Sequence, residues 1–267
     1  MGEGSLLRGG ATLVCIIALI IGLKPLIAEY SLSTLGLPSG DGLPNITFCN
    51  DNHPYTTEIL SLNPLMIYIS GFLREGEAEY LVKLGNNSYD GELFVGEPLK
   101  DMKSPQSGQL PKSDPVVKCV GSRAMRFLGS LDHDDFETPW LAKYNPSQKV
   151  QPHWDPPVEA MVGDHGQNYN WLTSFFVYLE YSGTGGETYF PKVKALPSKA
   201  FAEDERFSST DTDMGIAIRP IPKNAIFWVN LFPNGTRDDR TVHAGVTLEG
   251  GSKIGMNIWA KQYNWPV

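Results

Sequence analysis

Two histidines and one aspartate are the residues of this chain best suited to metal chemistry. His153 and Asp155 are separated by one residue, and His243 follows 90 positions after His153. Side chains of an extended strand alternate between its two faces, so His153 and Asp155 can converge on one ion while Trp154 points away. Two imidazoles and one carboxylate can hold one face of an iron(II) ion and leave three positions for a cosubstrate and dioxygen. The spacing therefore predicts an oxygenase-type iron site.

Lys253 lies ten residues after His243 and would supply a fixed positive charge. Gly250-Gly251 predicts a tight turn before it, and the segment from Lys253 to Ala260 predicts a strand. Alternation places Ile254, Met256, Ile258 and Ala260 on a packing face. The opposite face carries Lys253, Gly255, Asn257 and Trp259. A surface lysine is the plain alternative, but a polar cavity whose cationic end clamps an acidic cosubstrate fits this pattern better.

A second triplet of the same type, His133-Asp134-Asp135, competes with the first. It lies in the acidic run DHDDFE ahead of the predicted strands, where a solvated loop is the better interpretation. His53 and His165 are flanked by Asn, Asp, Gly or Pro and are predicted to lie at the surface. The strand context and Lys253 favour the triplet at His153.

Composition limits the class of protein. The chain has 267 residues, of which 41% are hydrophobic, as expected for one sizeable catalytic domain. Its formal net charge of -8 argues against a nucleic-acid partner, because phosphate binding needs a basic face.

The N-terminus predicts a membrane segment. The run ATLVCIIALIIGL from Ala11 to Leu23 has no charge and can be extended to Ala28 if Lys24 reaches the interface. A cleaved signal peptide is the alternative, but Leu26-Ile27-Ala28 fits an A-x-A-like cleavage site poorly. We therefore expect a signal-anchor over residues 1–28, a Gly/Pro/Ser-rich stem over 29–59 and a catalytic domain over 60–267.

Behind a secretory segment, three N-x-S/T sequons favour a catalytic domain in the lumen of the secretory pathway, with the endoplasmic reticulum membrane as the expected location. They begin at Asn45, Asn86 and Asn234. Cys15 lies inside the apolar run, which leaves Cys49 and Cys119 as lumenal cysteines. An oxidising compartment would permit a bridge between them, although two buried free thiols remain the alternative.

The sequence of the expected catalytic domain predicts a mainly β fold with flanking helices. Helices are expected over 73–84 and 120–131, and a loop over 96–115. From Trp140 onward, short strand-like runs alternate with turn signals such as GTGG, PNG and GG, which is typical of a sandwich or jelly roll.

Longer motifs carry a specific resemblance. The segments YNPSQKVQPHWD, TSFFVYLEYSGTGGETYFP, IPKNAIFWVN and HAGVTLEGGSKIGMNIWAK resemble the prolyl 4-hydroxylase alpha-subunit-like group of 2-oxoglutarate/iron(II) dioxygenases. The resemblance covers about residues 60–264. It implies a double-stranded β-helix, or jelly-roll, core with helices on one side.

The resemblance also implies roles for individual residues. His153, Asp155 and His243 would be the iron ligands, and Lys253 would pair with the distal carboxylate of 2-oxoglutarate. Tyr144 and Ser174 would place hydroxyls near that cosubstrate, with Ser174 standing where the family usually has threonine. Trp259 would line the substrate side, although a buried aromatic residue is nearly as good an interpretation. Ascorbate as a reductant is implied by the resemblance alone.

The chain departs from the family at substrate-facing positions. Ser147 and Val150 replace a glycine and a tyrosine that often precede His-x-Asp, and Trp171 replaces a common arginine. The expected activity is therefore hydroxylation of a peptidyl residue, proline first, with formation of succinate and CO2. The alternatives are another residue or a small molecule as substrate, or a non-enzymatic lumenal binding module. A cupin-like zinc hydrolase is weaker, because Lys253 would then have no task. Whether a lumenal partner subunit is needed stays open.

Overall fold

A computed structural model gives the fold of the chain. It describes residues 53–92, 104–129, 135–155, 157, 159–163, 166–194, 204–208 and 215–263, all of which belong to one compact unit, Leu43–Val267. The predicted anchor and most of the predicted stem lie outside these residues. No helix among the residues described is both long and apolar enough to cross a membrane.

The described part of the chain is built from fifteen strands and two α-helices. In chain order these are β1 (Thr56–Leu62), β2 (Leu65–Ser70), α1 (Glu77–Leu84), β3 (Tyr89–Glu92), β4 (Gln106–Gln109), α2 (Pro115–Leu128), β5 (Asp135–Phe136), β6 (Trp140–Tyr144), β7 (Val150–His153), β8 (Met161–Val162), β9 (Asn168–Gly185), β10 (Thr188–Phe190), β11 (Phe207–Ser208), β12 (Ile216–Ile218), β13 (Ala225–Val229), β14 (His243–Gly245) and β15 (Leu248–Tyr263).

The strands form two antiparallel sheets. The larger sheet has the order β1-β2-β13-β9-β15-β6-β4-β3, with β5 on β15 and β8 on β9, and the smaller has the order β11-β12-β10-β14-β7. One apolar cluster joins them: Phe176, Tyr178 and Trp228 come from the larger sheet, and Phe190 and Ile218 from the smaller. Inward-facing side chains from two sheets make the core of a sandwich. The mainly β, jelly-roll expectation is confirmed, and the predicted membrane helix lies outside the described residues.

Both helices cover the outer face of the larger sheet, as predicted. Leu81 of α1 and Val120 of α2 share an apolar cluster with Phe175, Val177 and Met256. Asp114 caps α2 by accepting hydrogen bonds from the backbone amides of Val116 and Val117, which satisfies donors that a helix start leaves unpaired. A buried ion pair, Arg123 to Glu77 at 2.7 Å, ties α2 to α1.

Strand β15 shows the predicted alternation. Ile254, Met256, Ile258 and Ala260 belong to the outer cluster under the helices. The other face, which carries Lys253, Gly255, Asn257 and Trp259, is therefore turned toward the smaller sheet. We call this the inner face.

Several predicted boundaries were wrong. Gly250-Gly251 is not a turn between strands: β15 runs through it from Leu248, because Gly251 and Gly183 pair where the two backbones approach closely. β4 lies inside the predicted 96–115 loop and pairs with β6. β1 pairs with β2 from Thr56, so the body begins before residue 60. The helices start at Glu77 and at Pro115, where Gly76 and Asp114 set the first turns.

Cys119 lies buried in α2 and forms a disulfide. Its partner cysteine lies outside the described residues, so the pairing with Cys49 stays a prediction.

Candidate active site

The predicted metal ligands come together on two neighbouring strands of the smaller sheet. His153 of β7 and His243 of β14 are direct partners in the antiparallel register, and Asp155 follows two residues after His153. Asp155 Oδ1 lies 3.8 Å from His153 Nε2 and 3.6 Å from His243 Nε2. One ligand atom from each residue falls within 4.8 Å of the other two. The three side chains therefore converge on a single point, as their spacing in the sequence predicted.

Hydrogen bonds fix the orientation of both imidazoles. His153 Nδ1 donates to the carbonyl oxygen of Gln151 at 2.8 Å, and His243 Nδ1 donates to that of Thr241 at 3.0 Å. A carbonyl can only accept, so each neutral ring carries its proton on Nδ1 and leaves a lone pair on Nε2. This outer hydrogen bond is the arrangement that orients metal-binding histidines.

The centre of the triad contains acceptors and no donor. The Asp155 side chain is only 5% exposed, and its Oδ2 has no hydrogen-bond partner among the described residues. A buried carboxylate without a donor or cation is costly. Two nitrogen lone pairs and a carboxylate that face one another fit a divalent cation, and this ligand set with open positions is typical of non-haem iron(II).

Burial sets the charge state of His153. It lowers the pKa of His153 to about 4, with a further lowering by His243, against an opposing effect of Asp155. His243 packs between Phe190, whose ring centroid is 5.2 Å away, and Trp228, at 4.9 Å. His153 is therefore neutral near pH 7, as a metal ligand must be.

Lys253 forms the opposite end of the site. It has no solvent exposure, and its Nζ donates to the carbonyl oxygen of Gly186 at 2.7 Å. It also lies over the Tyr144 ring, 4.6 Å from the centroid, because the two residues are direct partners between β15 and β6. No carboxylate pairs with Lys253 among the described residues. Burial lowers its pKa to about 7, with Glu187 opposing the shift.

One cavity lies between the two histidines and Tyr144, over whose ring Lys253 lies. Its lining includes His153, His243, Tyr144, Val150, Phe176, Thr188, Gly245 and Asn257. Gly245 fits closely here, since a Cβ atom would lie 2.9 Å from the Tyr144 hydroxyl and the tyrosine would have to shift. Apart from the two histidines, the side chains that line the cavity are neither acidic nor basic, and Lys253 lies beside it over the Tyr144 ring.

The structure does not bring Ser174 and Trp259 to this cavity. Ser174 is buried on the inner face of β9, and its hydroxyl accepts a hydrogen bond from Asn230 Nδ2 at 2.8 Å. Trp259 stacks on Trp171, with ring centroids 4.2 Å apart. Both lie on the inner face, as predicted for Trp259, but their contacts with cosubstrate and substrate stay predictions.

Sequence reasoning missed Phe176 and Thr188 as cavity walls and Asn230 as the partner of Ser174. Phe176 could have been found, because it shares a strand face with Ser174 by alternation. Thr188 and Asn230 depend on pairing between distant strands, which no local pattern reveals.

The structure also describes Ser147 and one residue of the competing His133 triplet. Ser147, which replaces a glycine common in the resembling family, has φ of 70°, a left-handed conformation that favours glycine. In the competing triplet, Asp135 forms an ion pair with Lys112 at 2.7 Å, and His133 and Asp134 lie outside the described residues.

The fold and the site together define a jelly-roll protein with a two-histidine, one-carboxylate centre. No protein-family profile matches the chain. It is similar to probable prolyl 4-hydroxylase 7 of Arabidopsis thaliana, with 24% identity over 209 residues, which cover 75% of this chain and 63% of the relative. Prolyl 4-hydroxylase 4 of that plant, described as probable, is 24% identical over 88% of this chain and 79% of its own length.

Two further matches agree. Prolyl 4-hydroxylase subunit alpha-2 of Gallus gallus is 31% identical over 149 residues, which cover 55% of this chain and 23% of that protein. Among solved structures, the viral collagen prolyl hydroxylase from Paramecium Bursaria Chlorella virus-1, in a 2OG complex, has a TM-score of 0.53 and 24% identity, covering 74% of this chain and 96% of that one. The chain therefore resembles prolyl 4-hydroxylases in sequence and shares the fold of one of them, which confirms the resemblance indicated by its motifs.

Proposed function

We propose that this chain is an iron(II)- and 2-oxoglutarate-dependent dioxygenase that hydroxylates prolyl residues of a peptide or protein. The observation that carries the proposal is the cavity lined by His153, His243 and Tyr144, with Asp155 beside the two histidines and the fully buried Lys253 over the Tyr144 ring. A dicarboxylic cosubstrate would use both parts: one end would bind the metal, and the other carboxylate would pair with Lys253. The similarity to prolyl 4-hydroxylases supports a prolyl substrate.

Each residue has a defined task in this reaction. His153, Asp155 and His243 would hold iron(II) through Nε2, a carboxylate oxygen and Nε2. When bound, iron and 2-oxoglutarate supply the oxidative chemistry that yields succinate, CO2 and the hydroxylated residue. Lys253 would donate to the distal carboxylate of the cosubstrate, and Tyr144 would add a hydroxyl beside it. Phe176 and Val150 exclude water, which strengthens the charge interaction of Lys253.

Protonation of Lys253 is coupled to cosubstrate binding. Without a counter-ion its pKa is about 7, and an opposite charge within a few ångströms favours the charged form. Binding of the dicarboxylate is therefore expected to take up a proton above pH 7. Ascorbate would serve as the reductant, as the resemblance implies.

We also propose that the enzyme is held in the endoplasmic reticulum membrane by residues 1–28, with a stem that ends before β1 and a lumenal catalytic domain. Cys119 supports this location, because disulfides persist in oxidising compartments. The exposed sequon at Asn234 supports it further. Its Oδ1 accepts hydrogen bonds from the amide and hydroxyl of Thr236, at 3.1 and 2.8 Å, in a surface turn that leaves the Asn234 amide nitrogen available for a glycan. A partner subunit is not required by this proposal.

The function is tested by turnover of the purified lumenal region with iron(II), 2-oxoglutarate, ascorbate and a library of proline-containing peptides. We expect peptide-dependent formation of succinate. Folded protein that forms succinate with no peptide of the library would contradict the prolyl substrate.

A further inference from the structure

Asp155 lies beyond the strand ladder that positions the two histidines. Strand β7 ends at His153, and the last pair of its ladder with β14 joins His153 to His243. Asp155 follows two residues later on irregular chain. Oδ2 of its carboxylate has no hydrogen-bond partner among the described residues. The position of this third ligand therefore depends on contacts outside the ladder.

Trp154 connects this irregular stretch to the segment that precedes His243. Its indole Nε1 donates to the main-chain carbonyl oxygen of Asp239 at 3.3 Å. The Arg237 guanidinium lies over the Trp154 ring, 4.1 Å from the ring centroid, within the range of a cation–π attraction. Arg237 also pairs with the Asp239 carboxylate at 3.2 Å, but an exposed ion pair of this kind contributes little. We call Trp154 and Arg237 the latch pair.

The segment that receives the Trp154 indole is anchored to the core. Asp238 is only 4% exposed, and its amide donates to the carbonyl oxygen of the fully buried Asn230 at 2.8 Å. The Asp238 carboxylate accepts a hydrogen bond from the Arg240 amide at 3.0 Å and pairs with the Arg240 guanidinium at 2.6 Å. The residues that follow, Asp239–Thr241, form one 3₁₀ turn. The acceptor for Trp154 therefore lies on a fixed part of the fold.

The same 3₁₀ turn orients His243. The buried Thr241 accepts, through its carbonyl oxygen, the hydrogen bond from His243 Nδ1 at 3.0 Å. The carbonyl oxygen that holds Trp154 lies two residues earlier in this turn. The turn therefore orients His243 directly and is joined to the Asp155 stretch through Trp154.

We propose that the latch pair positions Asp155 for metal binding: Trp154, held by Arg237 and by the Asp239 carbonyl, keeps the carboxylate in register with the two histidines. A ligand that is already in place loses less conformational freedom when the ion binds, so the latch pair raises metal affinity. Residues that orient metal ligands from outside typically change metal affinity by about 10- to 100-fold. Trp154 acts through Asp155 and is therefore a positioning residue. The inference rests on the proposed function for the identity of the metal site.

The test is anaerobic titration of the full chain with cobalt(II), whose visible absorption reports the ligand set and which needs no turnover. Trp154→Ala removes both contacts, and we expect its Kd for cobalt(II) to rise by about tenfold, with a changed absorption spectrum at saturation. Trp154→Phe keeps a ring under Arg237 but loses the N–H donor, so its Kd should rise by about threefold.

A double-mutant cycle tests whether the latch pair acts as one unit. Arg237→Met removes the cation, and we expect its Kd for cobalt(II) to rise by about threefold. Added to Trp154→Ala, Arg237→Met should weaken binding no further, because its partner ring is already absent. Independent, additive effects of the two substitutions would contradict the coupling between them.

Phe232→Ala is the matched control for lost stability. Phe232 is 38% exposed and lies under the Arg240 guanidinium, 5.5 Å from the ring centroid, so this variant removes a cation–π contact of the same kind that does not involve Trp154. Its affinity for cobalt(II) should equal that of wild type. Melting temperatures without metal check the folding of every variant, and the titrations are performed well below them.

The inference is overturned if Trp154→Ala and Trp154→Phe bind cobalt(II) as tightly as wild type, or if Phe232→Ala weakens binding as much as Trp154→Ala does. A wild-type chain that binds no cobalt(II) would contradict the proposed function as well. The expected pattern of cobalt(II) affinities without any hydroxylation of a peptide would contradict the proposed function alone and leave the inference standing.

Discussion

Asp155 provides the negative charge that a divalent cation needs at this site. As metal ligands both histidines would offer a lone pair, so the carboxylate would be the single charged ligand. We expect Asp155→Asn to lower the affinity for iron(II) or cobalt(II) by at least about 100-fold, because changing a residue that only supports a metal ligand already lowers metal affinity by up to about 100-fold. The variant should also lose turnover. Metal titration under anaerobic conditions checks this. Asp239→Asn, at an exposed position nearby, is the control, and tight metal binding by Asp155→Asn would contradict the ligand assignment.

Burial of Lys253 lowers the stability of the folded protein when no cosubstrate is bound. Its pKa falls from 10.5 to about 7 on burial. Between these values the unfolded chain binds a proton that the folded protein does not, so stability rises as pH increases from about 7 to 10.5, and the cost is largest below pH 7. Lys253→Met removes the charge, and we expect its melting temperature to exceed that of wild type at pH 6 by several degrees, with a smaller difference at pH 10.

The same variant separates stability from binding. Lys253→Met should raise the Kd for 2-oxoglutarate by about 100-fold or more, as expected when one partner of a buried charge pair is removed. Calorimetric titration of the metal-loaded protein measures that constant. Unchanged cosubstrate affinity would show that Lys253 is a structural residue only.

At the scale of elements, β15 joins the packing of the core to the chemistry of the site. Gly255 allows the Phe176 ring to lie directly against the strand, and a Cβ atom at this position would overlap that ring. Gly250 of the same strand has its nearest neighbour, Thr184 Oγ1, at 3.9 Å. We expect Gly255→Ala to destabilise the fold by about 1–3 kcal/mol, and Gly250→Ala to change stability by less than about 0.5 kcal/mol. Denaturant unfolding of both variants is the measurement, and equal effects would contradict the packing described here.

Strand β15 also shows how much of the structure was predictable. Its alternation assigned Lys253, Asn257 and Trp259 to one face and the packing residues to the other, because a strand has a local period of two. The continuity of β15 through Gly250-Gly251 was not predictable. Glycine pairs read locally as turns, and the close approach of Gly183 that explains Gly251 comes from a distant part of the sequence.

At the scale of the whole molecule, the site depends on pairings between strands far apart in the chain. His153 faces His243, and Lys253 faces Tyr144, across antiparallel ladders. Residue types and spacing were enough to nominate the two histidines and Lys253, whereas Tyr144 was nominated by the family resemblance. They could not show that Phe176 and Thr188 wall the cavity or that Ser174 is engaged by Asn230, because those contacts follow from the register of the two sheets.

The measurement that tests the central claim most directly is the mass of a proline-containing peptide after incubation with the protein, iron(II), 2-oxoglutarate and dioxygen. The account predicts addition of one oxygen atom to a prolyl residue, with one succinate formed per hydroxylation, and loss of both products in His243→Ala. An unmodified peptide together with bound iron and cosubstrate, or an equal yield from His243→Ala, would contradict it.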